Sequence, residues 1–409
     1  MDKERINKFA DVVLKIGVNL TKDQILLINA GLHCKEIAEI MASKAYDMGA
    51  RRVIINWNDQ DFARIRYEKE SVESLSEMFD FEKESRNYFV DKDVCNISIV
   101  SDNPDVFDGI DPQKMKAANV ARRAALRPFF EATSGNKLRW CVCAYPEKAW
   151  AKKMFPDLSE EDAMNKLWDM ICSAMRLDSE DPIAEWKKFS ENGKRRADIL
   201  NSSGIVSMHY KNSLGTDLTV GMMPDSTWLT ADEPDKNGVM FMANLPTEEI
   251  FSAPDRNNIN GVLYSALPLC DSGNIIDKFW LKFENGRIVD FHAEKGEEFL
   301  RNIIETDEGS HYLGEIALVQ YDSPISNMKT LFYETLFDEN ASCHFAIGNG
   351  YPTCCKSSDT LSPEELVEHG LNSSLEHVDF MVGTSDLEVE AALSNGEKLL
   401  VMKDGNFVI

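Results

Sequence analysis

The sequence predicts two domains: an α/β N-terminal domain with a largely parallel sheet over residues 1–203, and an α+β C-terminal domain rich in antiparallel strands over residues 204–409. Three observations support this division. A chain of 409 residues exceeds what one hydrophobic core usually serves. Its first half alternates helical apolar periodicity with short continuous apolar runs, the signature of strands covered on both faces by crossover helices. From about Gly204 that alternation gives way to short strands and hairpin turns.

Taken in order, Ile6, Phe9, Ala10, Val13 and Leu14 recur at helical spacing, and Ile25-Leu26-Leu27-Ile28 reads as a buried strand. Ile37, Ile40, Met41, Ala45 and Met48 form a second apolar helical face that Gly49 stops, with Val53-Ile54-Ile55 as the next strand. Val94 to Val100 and Leu138 to Ala144 are further strands, separated by a helix that Asp111-Pro112 opens. A helical block follows, with Ser159 and Asp162 spaced as a capping box and Trp168, Ile171, Met175 and Trp186 as core contacts. Polar residues between Asn201 and Gly204 mark the domain boundary. Beyond it, Asp217-Leu218-Thr219-Val220 alternates, and Phe279 to Phe283 faces Arg287-Ile288-Val289 across an Asn285-Gly286 hairpin turn.

Composition narrows the function classes. With 43% hydrophobic residues the chain can bury sizeable cores and is not a disordered segment. A formal charge of −25 without a basic run opposes binding to a phosphate backbone, so nucleic acid is not an expected partner. It favours a ligand carrying a free amine. No apolar stretch is long enough to span a bilayer, so no membrane association is expected. Met1-Asp2-Lys3-Glu4-Arg5 does not resemble the start of a secretory leader. The nine cysteines form no Cys-x-x-Cys pair, which fits reduced thiols and a cytoplasmic location.

The residues suited to chemistry lie in the last third. On a strand through Leu375-Glu376-His377-Val378-Asp379-Phe380, His377 and Asp379 share one face and could bind one ion together. A core histidine beside a solvated aspartate is the alternative reading. His344 begins an apolar run that ends in glycines, and Glu339 is near enough in sequence to reach the same place. Glu315 shares a strand face with Ala317 and Val319, which points its carboxylate inward and demands a metal or a buried cation to compensate it. Glu248 and Glu249 sit between Pro246 and Pro254, which stiffen the local backbone. Such a collection of oxygen and nitrogen donors suits zinc, cobalt, manganese or magnesium.

Together, NLPTEEIFSAPDR, GEIALV, LFDENASCHFAIG and LNSSLEHVDFMVG closely resemble the aminopeptidase T and aminopeptidase S group of thermophilic-type metalloaminopeptidases. The resemblance implies that Glu249, Glu315, Glu339, His344, His377 and Asp379 hold two divalent metal ions, with Glu315 bridging them. It implies that Tyr351 stands beside the metals, where it could hydrogen-bond a tetrahedral intermediate. It also implies a homodimer whose substrates are peptides with a free N-terminus. Hydrolysis would use water held between the two metals, with Glu248 or Glu315 as the proton carrier. The chain departs from the group at Gly350, at Cys354-Cys355-Lys356 and at Glu388 to Ala391, which bears on substrate preference more than on metal binding. The alternative function on the same fold is an iron(II)-dependent ring-cleaving dioxygenase of dihydroxypyridine type.

Overall fold

The computed structural model of the chain describes residues 2–271 and 274–409; Met1, the first residue of the stretch read for a leader, lies outside them. The chain divides into two compact units, Met1–Lys187 with Asp232–Pro246, and Lys188–Ala231 with Thr247–Ile409. It therefore passes between the units at 187/188, 231/232 and 246/247, whereas the sequence reading placed a single passage at 203/204. The helix Pro182–Ser202 runs through the first of these points, and no break in composition marks it.

The first unit is built on a parallel sheet of five strands. Four of them are β1 (Ile25–Gly31), β2 (Arg52–Asn58), β3 (Cys95–Val100) and β4 (Trp140–Ala144). The order is Asn244–Leu245, β4, β3, β1, β2, and all the pairings are parallel. The helix Lys3–Val12 buries Ile6, Phe9, Ala10 and Val12. The helix Lys35–Asp47 ends just before Gly49, whose φ of +90° is the left-handed stop expected there. Asp111 caps the helix Pro112–Ala125 by accepting from the Gln113 amide, and Ser159 caps Glu160–Ala174 by accepting from that of Asp162. Trp168, Ile171, Met175 and Trp186 are all buried, as their spacing predicts. The returning segment 232–246 is tied to the sheet by a buried ion pair, Arg139 Nε to Asp235 Oδ2 at 3.2 Å.

The second unit contains two antiparallel sheets. The larger has nine strands, and its Asn285-Gly286 turn has φ of +50° and +85°, as a two-residue hairpin requires. The smaller contains β5 (Glu249–Ser252), β6 (Leu313–Val319), β7 (His344–Gly348) and β8 (His377–Met381), in the order β8-β7-β6-β5 with Leu229–Thr230 at the edge. Ile250, Ile316, Leu318, Phe345, Ile347, Val378 and Phe380 of the smaller sheet form one core with Tyr210, Leu218, Val220, Phe279 and Leu281 of the larger. Side chains alternate along a strand, so committing these residues to the core commits their neighbours to the opposite face. Among the described residues, no helix is long and apolar enough to cross a membrane.

Candidate metal centre

The opposite face of the smaller sheet carries the polar residues. Strand register sets their positions: Glu315 pairs with Ala346 and Ala346 with Asp379, giving one row across β6, β7 and β8. On the same face Ala317 pairs with His344, Val319 with Glu249, and Gly348 with His377. Small residues therefore stand between the polar ones. Ala346 leaves room for two carboxylates to lean over it. At Gly348, with φ +106°, a Cβ would meet the Glu376 carbonyl at 2.3 Å, so the strand reaches His377 only with glycine there.

Two triads of ligand-type atoms result, Glu249–Glu315–His344 and Glu315–His377–Asp379, with Glu315 common to both. His344 Nε2 lies 3.0 Å from Glu249 Oε2 and 3.7 Å from Glu315 Oε1. His377 Nε2 lies 3.5 Å from both Glu315 Oε2 and Asp379 Oδ1. The two oxygens of Glu315 thus face different histidines. Each imidazole is oriented from behind: His344 Nδ1 donates to the Ser342 carbonyl at 3.2 Å, and His377 Nδ1 to the Asn349 carbonyl at 2.7 Å. A carbonyl only accepts, so Nδ1 carries the proton and Nε2 is turned to the carboxylates.

Glu339 heads the short turn Glu339–Ala341 and stands outside both triads, yet it feels the charges of Asp379, Glu249, His344 and Glu315. The Tyr351 ring lies tilted 4.9 Å from that of His377 and edge-on 6.1 Å from that of Phe251. Glu248 is buried, and its amide donates to Asn340 Oδ1 at 2.7 Å. That contact joins the segment before β5 to the turn carrying Glu339.

The electrostatics are those of crowded acids. Burial raises the Glu315 pKa, Asp379 and Glu249 raise it further, and a hydrogen bond from His344 only partly offsets them. Burial, then Asp379 and Glu249, hold Glu339 well above its ordinary value. For His344 burial works toward the neutral form, but hydrogen bonding to Glu249 and Glu315 outweighs it and raises the pKa. His377 is raised in the same way by Asp379 and Glu315 against its burial. The Tyr351 phenol is pushed well above its usual range, first by burial of its hydroxyl and then by the carboxylates, although the residue as a whole is 37% exposed.

Among the described residues, Glu249, Glu315, Glu339 and Asp379 make no ion pair with Lys or Arg. Asp379 Oδ1 is buried and makes no hydrogen bond. Buried carboxylates without a cation are costly, and a divalent ion supplies what this donor set lacks. The residues present fit a metal.

The family model described as thermophilic metalloprotease (M29) matches residues 2–407. The chain belongs to the M29 family. It is thereby a metalloprotease and a hydrolase, as the four motifs suggested. Among its M29 relatives, aminopeptidase AmpS of Bacillus subtilis is 40% identical over 99% of this chain and 98% of its own length. Aminopeptidase T of Thermus aquaticus is 34% identical over 99% of both chains. The solved structure of wild-type AmpT from Thermus thermophilus superposes with a TM-score of 0.93 at 32% identity, covering 100% of each chain. A 2,5-dihydroxypyridine dioxygenase from Pseudomonas putida shares the fold alone, at 11% identity and a TM-score of 0.52.

Several residues that shape this candidate site were not read from the sequence. Asn340 anchors Glu248, and Asn349 and Ser342 orient the histidines through backbone carbonyls. Ala346 matters for being small. Backbone carbonyl acceptors leave no residue-type signal, and a spacer is visible only once the strand register is known.

Proposed function

We propose that this chain releases the N-terminal residue from peptides with a free amine, using two divalent cations held by Glu249, Glu315, Glu339, His344, His377 and Asp379. The observation that carries this reading is the sharing of Glu315 between the two triads, one oxygen toward each. Charge balance supports two ions: four carboxylates carry about −4, and two divalent ions offset them with both imidazoles neutral. When bound, the ions supply an acidified water nucleophile and polarisation of the scissile carbonyl.

The protein's own groups do the rest. With one oxygen turned toward each histidine, Glu315 would hold both ions, and Glu248 would accept the water's proton and return it to the leaving amine. Tyr351, kept protonated first by burial of its hydroxyl and then by the nearby carboxylates, would donate its O–H to the oxygen that becomes negative as the carbonyl is attacked. The substrate's free α-amino group would bind a metal or a nearby acid, which would confine cleavage to the first residue.

The test uses metal-stripped protein, aminoacyl p-nitroanilides and short peptides, with zinc, cobalt, manganese or iron(II) added back singly. Release of the first residue should return with at least one divalent ion, and N-acetylated versions of the same substrates should stay intact. No release with any ion, or equal cleavage of the acetylated peptides, would overturn the proposal.

A further inference from the structure

Away from the Glu315 cluster, three ligand-type side chains from three separate segments meet within the second unit. Asp225 lies in the connection after the strand Asp217–Met222, Cys355 follows the turn Pro352–Cys354, and His369 ends the helix Pro363–His369. His369 Nε2 is 2.6 Å from Asp225 Oδ1, and Cys355 Sγ is 3.3 Å from Asp225 Oδ2. One nitrogen, one sulfur and one oxygen from the three lie within 4.8 Å of one another. Cys355 is fully buried, whereas the side chains of Asp225 and His369 keep 19% and 33% exposure, so the cluster opens to solvent on the imidazole side.

A nitrogen, a thiol sulfur and a carboxylate oxygen are the donors of zinc-type sites. With metal–sulfur bonds of about 2.3 Å and metal–oxygen or metal–nitrogen bonds of about 2.0 Å at tetrahedral angles, sulfur and oxygen ligands sit ~3.5 Å apart and nitrogen and oxygen ~3.3 Å apart. The Cys355–Asp225 separation is already close to that value. The His369–Asp225 contact is shorter because a proton is shared there, and opening it by less than about 1 Å reaches the metal spacing. Each of these contacts is held by a proton that a divalent ion displaces.

The backbone is arranged in advance. The Ser357 amide donates to Asp225 Oδ2 at 3.0 Å and the Lys356 amide to the Asp225 carbonyl at 3.1 Å. The Thr227 amide donates to the Cys354 carbonyl at 2.8 Å, and Ser226 pairs with Cys355 as an isolated bridge. These backbone contacts lace the two segments together, so binding an ion there orders little more chain. Burial opposes ionisation of Asp225, yet the hydrogen bonds from Ser357, His369 and Cys355 outweigh it and hold the carboxylate charged. The same backbone turn carries Tyr351, whose carbonyl accepts from the Cys354 amide at 3.0 Å.

We infer that Asp225, Cys355 and His369 form a further divalent-cation site of zinc type, distinct from the Glu315 cluster, which fixes the turn running from Tyr351 to Cys355. A water completes its four ligands. The site shares no residue with the six assigned above, so its failure and theirs are separable.

Sulfur ligation provides the test. The Glu315 cluster has only nitrogen and oxygen donors, so cobalt(II) bound there shows no thiolate charge-transfer absorption. Full-length protein stripped and reloaded with cobalt(II) should show that near-ultraviolet band, and Cys355→Ser should abolish it. Zinc content should fall by about one equivalent per chain in Cys355→Ser and in His369→Gln. The half-exposed His369 makes its variant the safer folder, and it serves alone if the serine variant does not fold. Absence of the band in the unmodified protein, or an unchanged band and zinc content in His369→Gln, would overturn the assignment.

Discussion

Two carboxylates can lean over one strand only if the residue between them is small, and Ala346 is that residue between Glu315 and Asp379. Ala346→Val adds two methyl groups where the acids converge. Overpacking of this kind costs roughly 1–3 kcal/mol. The larger expected effect is on the site: metal content and peptide release should fall together by at least ~10-fold, within the range for a disturbed ligand shell. Wild-type activity in a folded Ala346→Val protein would remove the spacer role. Asp379→Asn tests the ligand assignment in the opposite sense for stability. It should cost more than the ~10–100-fold in activity that loss of an outer partner costs. In metal-stripped protein, however, it removes one of four crowded acids, so the melting temperature should rise, by about 2–4 °C for each kcal/mol relieved. A melting temperature that falls in the stripped variant would show that the attraction between Asp379 and the His377 imidazole, 3.5 Å away, outweighs its repulsion by the other acids. At this scale the sequence was informative about the candidate ligands, because His377 and Asp379 share a strand face and Glu315 stands in an inward-facing run. It was silent about Asp225 and His369. These lie 144 residues apart, and no local spacing rule connects them.

At the scale of elements, β8 depends on the loop that delivers it, and Asp307 clamps that loop. Its Oδ1 accepts from Ser374 Oγ at 2.8 Å and from the Ser310 amide at 2.8 Å, and its Oδ2 accepts from the Leu375 amide at 2.6 Å. Burial tends to raise the Asp307 pKa, but these hydrogen bonds outweigh it and the value lies below the ordinary 3.8. A depressed carboxylate stabilises the fold above its unfolded pKa, and the contribution is lost as pH falls through the lower folded value. Asp307→Ala should therefore destabilise the metal-stripped protein at neutral pH by about 1–3 kcal/mol, the net worth of hydrogen bonds to a charged carboxylate. The gap between wild type and variant should close as pH is lowered below the ordinary aspartate pKa of about 4. Thermal unfolding across that range checks it, and a pH-independent gap would sink the clamp. Elements were legible where a local code writes them: the apolar runs became β1 to β4, and Asn285-Gly286 closed its hairpin. The two-residue strand Asn244–Leu245 was not legible, since its parallel partner β4 lies far back in sequence.

For the whole molecule, the division into an α/β part with a parallel sheet and a part rich in antiparallel strands was readable from the change of pattern near Gly204. The return of Asp232–Pro246 to the first unit was not, because contacts made after folding decide it. Net charge belongs to this scale too. At −25 the chain surrounds itself with a negative potential that would draw in the proposed substrate through its α-ammonium group. Salt at ~0.1 M shortens the reach of that potential to about 10 Å, against about 30 Å at ~0.01 M. Raising ionic strength across this range should therefore lower kcat/KM for a free aminoacyl p-nitroanilide while leaving kcat nearly unchanged, since only encounter is affected. The amine loses its proton above an ordinary pKa of about 8. Repeating the titration near pH 9 should flatten the salt dependence although the protein remains strongly negative. Equal salt sensitivity at both pH values would assign the effect to screening within the protein and leave no steering of the substrate.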